Sequence, residues 1–281
     1  MSCARPGDGW PTKSVQQLAT ALVGWFADDT EYAIALSGGV DSAVVARAAT
    51  LAGARCHAVT AIGPAVSARE LQDAREIARC VGIEHHWIDA DELADVRYRT
   101  NDARRCFHCK TNLFAAVRAR FPGATIVTGT NRDDLGDYRP GLEAARNAAV
   151  RAPLAELGIG KVQVRQLARW WHLAIANKPA SPCLASRIAY GVEVTEERLR
   201  RIDAAEQLLR QLGAQDCRVR LHADELARIE VPQSDLARLL QEPVRQQIVD
   251  GLLGLGFRFV AIDLQPLRSG SLNQVLVPLP T

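Results

Sequence analysis

Apolar positions along residues 14–27 (SVQQLATALVGWFA) recur at helical spacing, and Ser14 stands where it can cap the helix they predict. EYAIAL (31–36) is instead a short continuous apolar run ending in Ser-Gly-Gly, the pattern of a buried strand feeding a glycine-rich turn. The alternation then repeats. Residues 41–53 predict a helix closing at Gly53, and ARCHAVTAI (54–62) a second strand. Residues 67–82 predict a helix with Ser67 and Glu70 spaced as a capping box. EHHWID (84–89) predicts a third strand, 104–121 a helix and ATIVTGT (124–130) a fourth strand. Strands alternating with helices predict an α/β fold, a doubly wound parallel sheet with helices on both faces. Ligands of such sheets bind outside the carboxyl ends of the strands, where strand order reverses. That directs attention to the turns at 37–42 and 129–134.

Segment 131–194 is rich in Gly, Pro, Asp and Arg, with one helical stretch near 161–172. It is too long for a plain connector, and loops of this kind usually carry function. From Thr195 the pattern changes to an amphipathic helix over 195–212, then the strands DCRVRLH (216–222) and LARIEV (226–231). Helices at 234–241 and 243–253 and a strand FRFVAIDL (257–264) follow. This predicts a smaller α+β domain, with boundaries at 1–185 and 186–281.

Composition narrows the function classes. Among 281 residues, 34 Lys+Arg face 32 Asp+Glu, which argues against sequence-independent binding of nucleic acid or membrane surfaces. No apolar run approaches the ~20 residues that span a bilayer. MSCARPGDGWPTKS has no apolar signal core, so a cytoplasmic protein is expected. Seven cysteines are too few for a disulfide scaffold and ask for a metal or catalytic reading. The only lysines are Lys13, Lys110, Lys161 and Lys178, and none lies in Gly-Lys-Ser/Thr. A kinase or GTPase phosphate loop is therefore excluded.

A different phosphate loop is present. SGGVDS (37–42) joins an apolar strand to a helix. Its glycines let the backbone approach an anion, and the helix start presents free N–H groups to it. Ser37 and Ser42 add hydroxyls, and Asp41 is placed to hold Mg²⁺ against phosphate oxygens. The motif resembles the PP-loop of the ATP pyrophosphatases. That resemblance implies a pyrophosphate site at Ser37, Gly38, Gly39, Asp41 and Ser42, with Thr60 and Ala61 near the adenine and Gly129 and Asp134 completing the ATP pocket.

Further motifs select a branch. TGTNRDDLGDYRPG (128–141), KPASPCLASRIAYG (178–191), RVRLH (218–222), ARIEV (227–231) and RSGSLNQ (268–274) together resemble the LarE family. The resemblance runs from about Val15 to Gln274. It implies an ATP-dependent sulfurtransferase that adenylates a carboxylate of a pyridinium bis-carboxylate mononucleotide. Sulfur attack then gives a thiocarboxylate for the nickel-pincer cofactor of lactate racemase. It also implies a homo-oligomer, a small-molecule substrate and no nucleic-acid partner. The first domain would bind ATP, and the second would bind substrate and support assembly.

The resemblance further implies that Cys183 donates sulfur, in one branch sacrificially. Here Cys106 and Cys109 add a CxxC motif. Three thiolates can hold a 4Fe–4S cluster with one iron open, and the cluster version is the one expected. Ser186, Arg187, Glu206, Arg218 and Arg220 are implied to form a substrate-phosphate pocket, arginine being suited to bidentate anion binding. Arg228 and Glu230 read as an exposed pair, and Trp170 and Trp171 as packing. Cys3, Cys56, Cys80 and Cys217 are assigned no role. Pro182 and Ala189 depart from the family pattern around the Cys183 loop. Competing readings are an amidating PP-loop enzyme, a tRNA-thiolating enzyme and a nucleotide sensor without turnover.

Overall fold

Strands β1 (Tyr32–Ala35), β2 (Cys56–Ile62), β3 (Glu84–Asp89) and β4 (Thr125–Val127) form one parallel sheet in the order β3-β2-β1-β4. The computed structural model describes residues 14–136, 140–179, 181–268 and 271–272. The chain starts at β1, moves outward through β2 and β3, and returns to add β4 on the other side of β1. Strand order therefore reverses between β1 and β4, which makes their carboxyl ends the expected ligand crevice.

Helices α1 (Val15–Gly24), α2 (Val40–Leu51) and α3 (Ala68–Val81) match the periodicity to within a few residues, and Ser14 and Gln17 form a capping box on α1. α2 is the most enclosed, with Ala43, Val44, Val45, Ala46, Ala48 and Ala49 all buried. Small side chains on most of its circumference let it pack against the sheet, α1, α3 and the helix Lys161–Trp170. Segment 131–194 holds more helix than expected, including Pro140–Asn147 and the single turn Pro153–Glu156. These pieces are too short to show a periodic signal.

Glu156 anchors part of that segment. It accepts hydrogen bonds from the Arg151 guanidinium (2.8 and 2.6 Å), the Ala152 N–H (3.0 Å) and Trp25 Nε1 (3.0 Å). Arg151 foremost holds its carboxyl down at about 2, against an ordinary 4.5. A depressed carboxylate stabilises the fold above the ordinary value, and that contribution is lost as pH falls through the native value. Glu156→Gln is expected to cost about 1 kcal/mol at neutral pH, the pair being partly solvent-screened. The difference from wild type should shrink below pH 4.5 and vanish near pH 2, as read by thermal melts.

A second compact unit comprises 63–67, 91–109 and 182–281; the first comprises 1–62, 68–90 and 110–181. The sequence boundary at 185/186 misses the two earlier pieces. Backbone bonds from Leu184 to Ala65, Gly191 to Asn101 and Val194 to Arg99 tie them in. Pairings of such sequence separation leave no periodic trace in the chain. This unit carries the sheet β5 (Arg218–His222), β6 (Leu226–Glu230) and β7 (Phe259–Ile262), with β5 and β6 antiparallel. The helix Glu196–Gln211 covers it, burying Leu199, Ile202, Ala205 and Leu209. Among the described residues, no helix is long and apolar enough to cross a membrane.

Candidate active site

The loop 37–42 lies where β1 enters α2. Gly38 has φ +73°, and a Cβ there would meet the Glu70 carbonyl at 2.9 Å. Glycine is thus required both for conformation and for space. No side chain caps the start of α2 at Gly39, which leaves its first N–H groups available to an anion. Ser42 shapes the turn: its hydroxyl donates to the Gly39 carbonyl (3.1 Å) and accepts from the Ser37 N–H (3.3 Å). Gly129, at the end of β4, presses on this turn so closely that a Cβ would lie 2.6 Å from the Ser42 nitrogen.

Acidic residues flank the loop. Asp41 accepts a hydrogen bond from Asn131 Nδ2 (3.0 Å), while the Asn131 N–H donates to Asp134 (3.2 Å). Burial raises the Asp41 carboxyl above its ordinary range, and Asp134 nearby adds to the effect. Lys161 Nζ lies 3.4 Å from Asp134. Two hard carboxylates sharing Asn131 are a donor set suited to Mg²⁺. Thr60 donates its hydroxyl to the Leu36 carbonyl (2.6 Å) and contacts His85 Nε2 (2.8 Å). Burial keeps His85 below its ordinary pKa, and the neutral imidazole donates to Thr60. Ala61 follows Thr60 on β2.

Two contributors were not singled out from the sequence: Asn131 and Lys178. Lys178 Nζ donates to the Gly38 carbonyl (2.6 Å) and to Asp73 (2.5 Å), so a lysine rejected for a Walker loop stands at this one instead. Its place in KPASPC, among only four lysines, was the available signal. Lys178→Met is expected to raise the KM for ATP about tenfold, the scale of one charge-assisted contact. Pyrophosphate-release kinetics would measure it, with Lys178→Arg retaining part of the affinity.

Cys106, Cys109 and Cys183 lie within the second unit and form no disulfide; Cys106 is exposed, and the Cys109 thiol reaches Glu92 at 3.8 Å. Cys109 and Cys183 pack on one apolar cluster. Cys183 and Cys106 both act electrostatically on Arg105, a buried cation that donates to the Ala185 carbonyl (2.8 Å) and to Asn101 Oδ1. Burial pushes the Cys183 thiol up, and Arg105 pulls it back down. Tyr98, 1% exposed, has a hydroxyl with no hydrogen-bond partner. Burial, reinforced by the Cys183 and Cys109 thiols and Glu92, pushes this phenol well above its ordinary range, so it stays a donor. No pattern in the sequence marked Tyr98.

The arginines on β5 are buried, not solvated: Arg218 is 8% exposed and Arg220 3%. Arg220 pairs with Glu230 (2.8 Å) and donates to the Ser186 carbonyl (2.9 Å) and Ser271 (2.9 Å). Glu230, expected at the surface, is 2% exposed, because diagonal pairing on β5 and β6 sets it against Arg220. Arg187 pairs with Glu206 (2.9 Å) and donates to the carbonyls of Pro182 and Cys183. Glu206 also takes Arg210. Ser186 donates its hydroxyl to the Cys183 carbonyl (2.7 Å). Arg218 donates to the Arg268 carbonyl (3.1 Å) and has no carboxylate partner among the described residues. Burial, with Arg220 and Arg187 nearby, lowers its pKa. A buried guanidinium without a carboxylate partner is suited to receiving an anion.

The remaining expectations divide. Trp171 packs on the core, whereas Trp170 is half-exposed. Cys217 is buried, with its thiol pushed up to about 12 by burial first. Cys56 is half-buried and Cys80 exposed. Cys3, Lys13, the start of the chain and parts of the motifs at 128–141, 178–191 and 268–274 lie outside the described residues.

An asparagine synthase family model matches residues 16–107, the stretch containing the phosphate loop. A pyridinium-3,5-bisthiocarboxylic acid mononucleotide synthase of Lactiplantibacillus plantarum is 34% identical over 265 residues, 91% of this chain and 93% of that protein. The chain belongs to the LarE family. It is an ATP-dependent sulfurtransferase on the PP-loop fold. An uncharacterized protein of Synechocystis is 41% identical to this LarE-family chain over 247 residues, 86% of the chain and 92% of its own length. A tRNA-specific 2-thiouridylase of Sphingopyxis alaskensis is 27% identical over 196 residues, 54% of this chain and 50% of that protein.

Proposed function

We propose that this LarE-family enzyme converts a carboxylate of a pyridinium bis-carboxylate mononucleotide to a thiocarboxylate, for the nickel-pincer cofactor of lactate racemase. A carboxylate oxygen attacks the α-phosphorus of ATP, and the bond to the pyrophosphate breaks. Ser37, Gly38, Gly39, Ser42 and the start of α2 hold the leaving pyrophosphate, with Lys178 offsetting its charge. Asp41 and Asp134 would hold Mg²⁺, which offsets phosphate charge when bound. Thr60 and Ala61 bound the adenine side, and Gly129 keeps the crevice narrow. Sulfide then displaces AMP from the acyl carbon. Arg218 receives the substrate phosphate, while Arg187, Ser186, Arg220 and Glu206 hold the loop carrying Cys183.

For the sulfur source, one observation supports the reading: Cys106 and Cys183 both act on the buried Arg105 cation, and Cys109 and Cys183 both act on the Tyr98 phenol. Three cysteines without disulfide bonds would supply three thiolates to a 4Fe–4S cluster, whose remaining open iron would be able to carry sulfide. The alternative is sacrificial loss of sulfur from Cys183. Anaerobic reconstitution with iron and sulfide tests the choice. Iron content and a brown chromophore that are lost on replacing any of the three cysteines support the cluster. A colourless protein, lighter after turnover by the mass of hydrogen sulfide, supports sacrifice.

Tyr98 gives an independent check. An unpaired buried hydroxyl costs about 1–3 kcal/mol. Tyr98→Phe should therefore raise the Tm of the unloaded protein, and it should slow sulfur transfer if the phenol, coupled to Cys183 and Cys109, serves the sulfur. A variant with unchanged Tm and unchanged transfer would remove Tyr98 from the site.

A further inference from the structure

A second constellation sits at the other end of the first unit's sheet. His57 lies early in β2, in register with Glu84 at the start of β3, and His86 follows Glu84 by two residues. Residues two apart on a strand share a face, so the backbone brings all three side chains to one side of the sheet. The phosphate loop leaves the opposite, carboxyl end of β1. A cavity of about 400 Å³ opens over the trio and is lined also by Glu31, Arg120 and Phe121.

The distances describe a ligand set. His57 Nδ1 and His86 Nε2 lie 3.3 Å apart, and the two oxygens of Glu84 lie 3.1 Å from one nitrogen each. Donor atoms about 2.0–2.1 Å from a tetrahedral zinc are separated by about 3.3 Å. His57 Nε2 is 3.0 Å from Glu31, which fixes the N–H there and turns the Nδ1 lone pair inward. That lone pair faces a carboxylate, an arrangement that is favourable only when a proton or a metal cation lies between them. Phe121 stacks on His57 (4.9 Å) and meets His86 edge-on (5.1 Å), so both rings are held.

We propose that His57, His86 and Glu84 form a site for a zinc-type divalent cation, with Glu31 orienting His57. Such an ion would clip β2 to β3 and, through Glu31, to the entry of β1. The site is separate from the sulfur chemistry, and its chemistry of nitrogen and oxygen donors distinguishes it from any thiolate site.

Cobalt(II) titration of the chelator-stripped, full-length Cys106→Ser/Cys109→Ser/Cys183→Ser protein tests this. One equivalent should give tetrahedral d–d absorption with no near-ultraviolet thiolate band. His57→Ala/His86→Ala on that background should abolish it. Glu31→Gln should weaken the affinity about 10- to 100-fold, the range for a partner that orients a ligand. Glu84 is largely exposed, so Glu84→Gln provides a variant expected to fold, and it too should weaken binding. Absence of the absorption, or its survival in the folded Glu84→Gln and double-histidine variants, would overturn the site and leave the histidines bound to the glutamates by protons alone.

Discussion

In a Cys183→Ala variant, pyrophosphate release with ATP and the pyridinium substrate is expected to continue, while thiocarboxylate formation falls to background. The two activities draw on different residues. In the proposed mechanism the loop 37–42, with Lys178 and Asn131 bonded to it, serves activation of the carboxylate and involves no thiol. A carboxylate is a poor electrophile, and its AMP anhydride yields thiocarboxylate only when a sulfur nucleophile arrives. Without Cys183 the anhydride forms and hydrolyses. Cys106→Ala and Cys109→Ala discriminate further: equal loss in all three variants, together with iron, follows from a shared cluster. Full transfer in the two CxxC variants would assign the sulfur to Cys183 alone. Loss of pyrophosphate release in the Cys183 variant would contradict the separation itself.

Arg218→Ala is expected to raise the KM for the mononucleotide roughly thirtyfold, about 2 kcal/mol, with little change for ATP. Neighbouring arginines are committed elsewhere. Arg187 is engaged by Glu206 and the Cys183 loop, and Arg220 by Glu230 and Ser271. Arg218 alone among these three lacks a carboxylate partner within the described residues. Its removal also relieves like-charge crowding, so the Tm should hold or rise. Arg220→Ala would behave differently, because it takes the nearest cation from the buried Glu230 and leaves it only Arg228 at 3.4 Å and the Ser271 hydroxyl, a destabilising change. An Arg218→Ala enzyme that loses ATP and substrate affinity equally would contradict the assignment.

Much of the first unit was legible in the chain because its signals are local. Continuous apolar runs marked β1 and β2, glycines marked the turn at 37–42, and a hydrophobic period marked α3. The missing parts depend on long-range pairing. Lys178 reaches Gly38 across 140 positions, and Asn131 reaches Asp41 across 90. Arg218 and Arg220 alternate as an exposed strand would, and only the contacts with the backbone of Ser186 and Arg268, with Ser271 and with Glu230 on β6 change their meaning. Tyr98 carried no signal, since what distinguishes it is the partner it lacks.

The central claim is adenylation of a carboxylate before sulfur transfer. It is tested most directly by giving anaerobic enzyme ATP, Mg²⁺, sulfide and substrate whose carboxylates carry heavy oxygen. Mass spectrometry should find heavy oxygen in the phosphate of AMP, equal amounts of pyrophosphate and AMP, and sulfur in place of carboxylate oxygen in the product. Unlabelled AMP, or ADP and phosphate as the products of ATP, would contradict it.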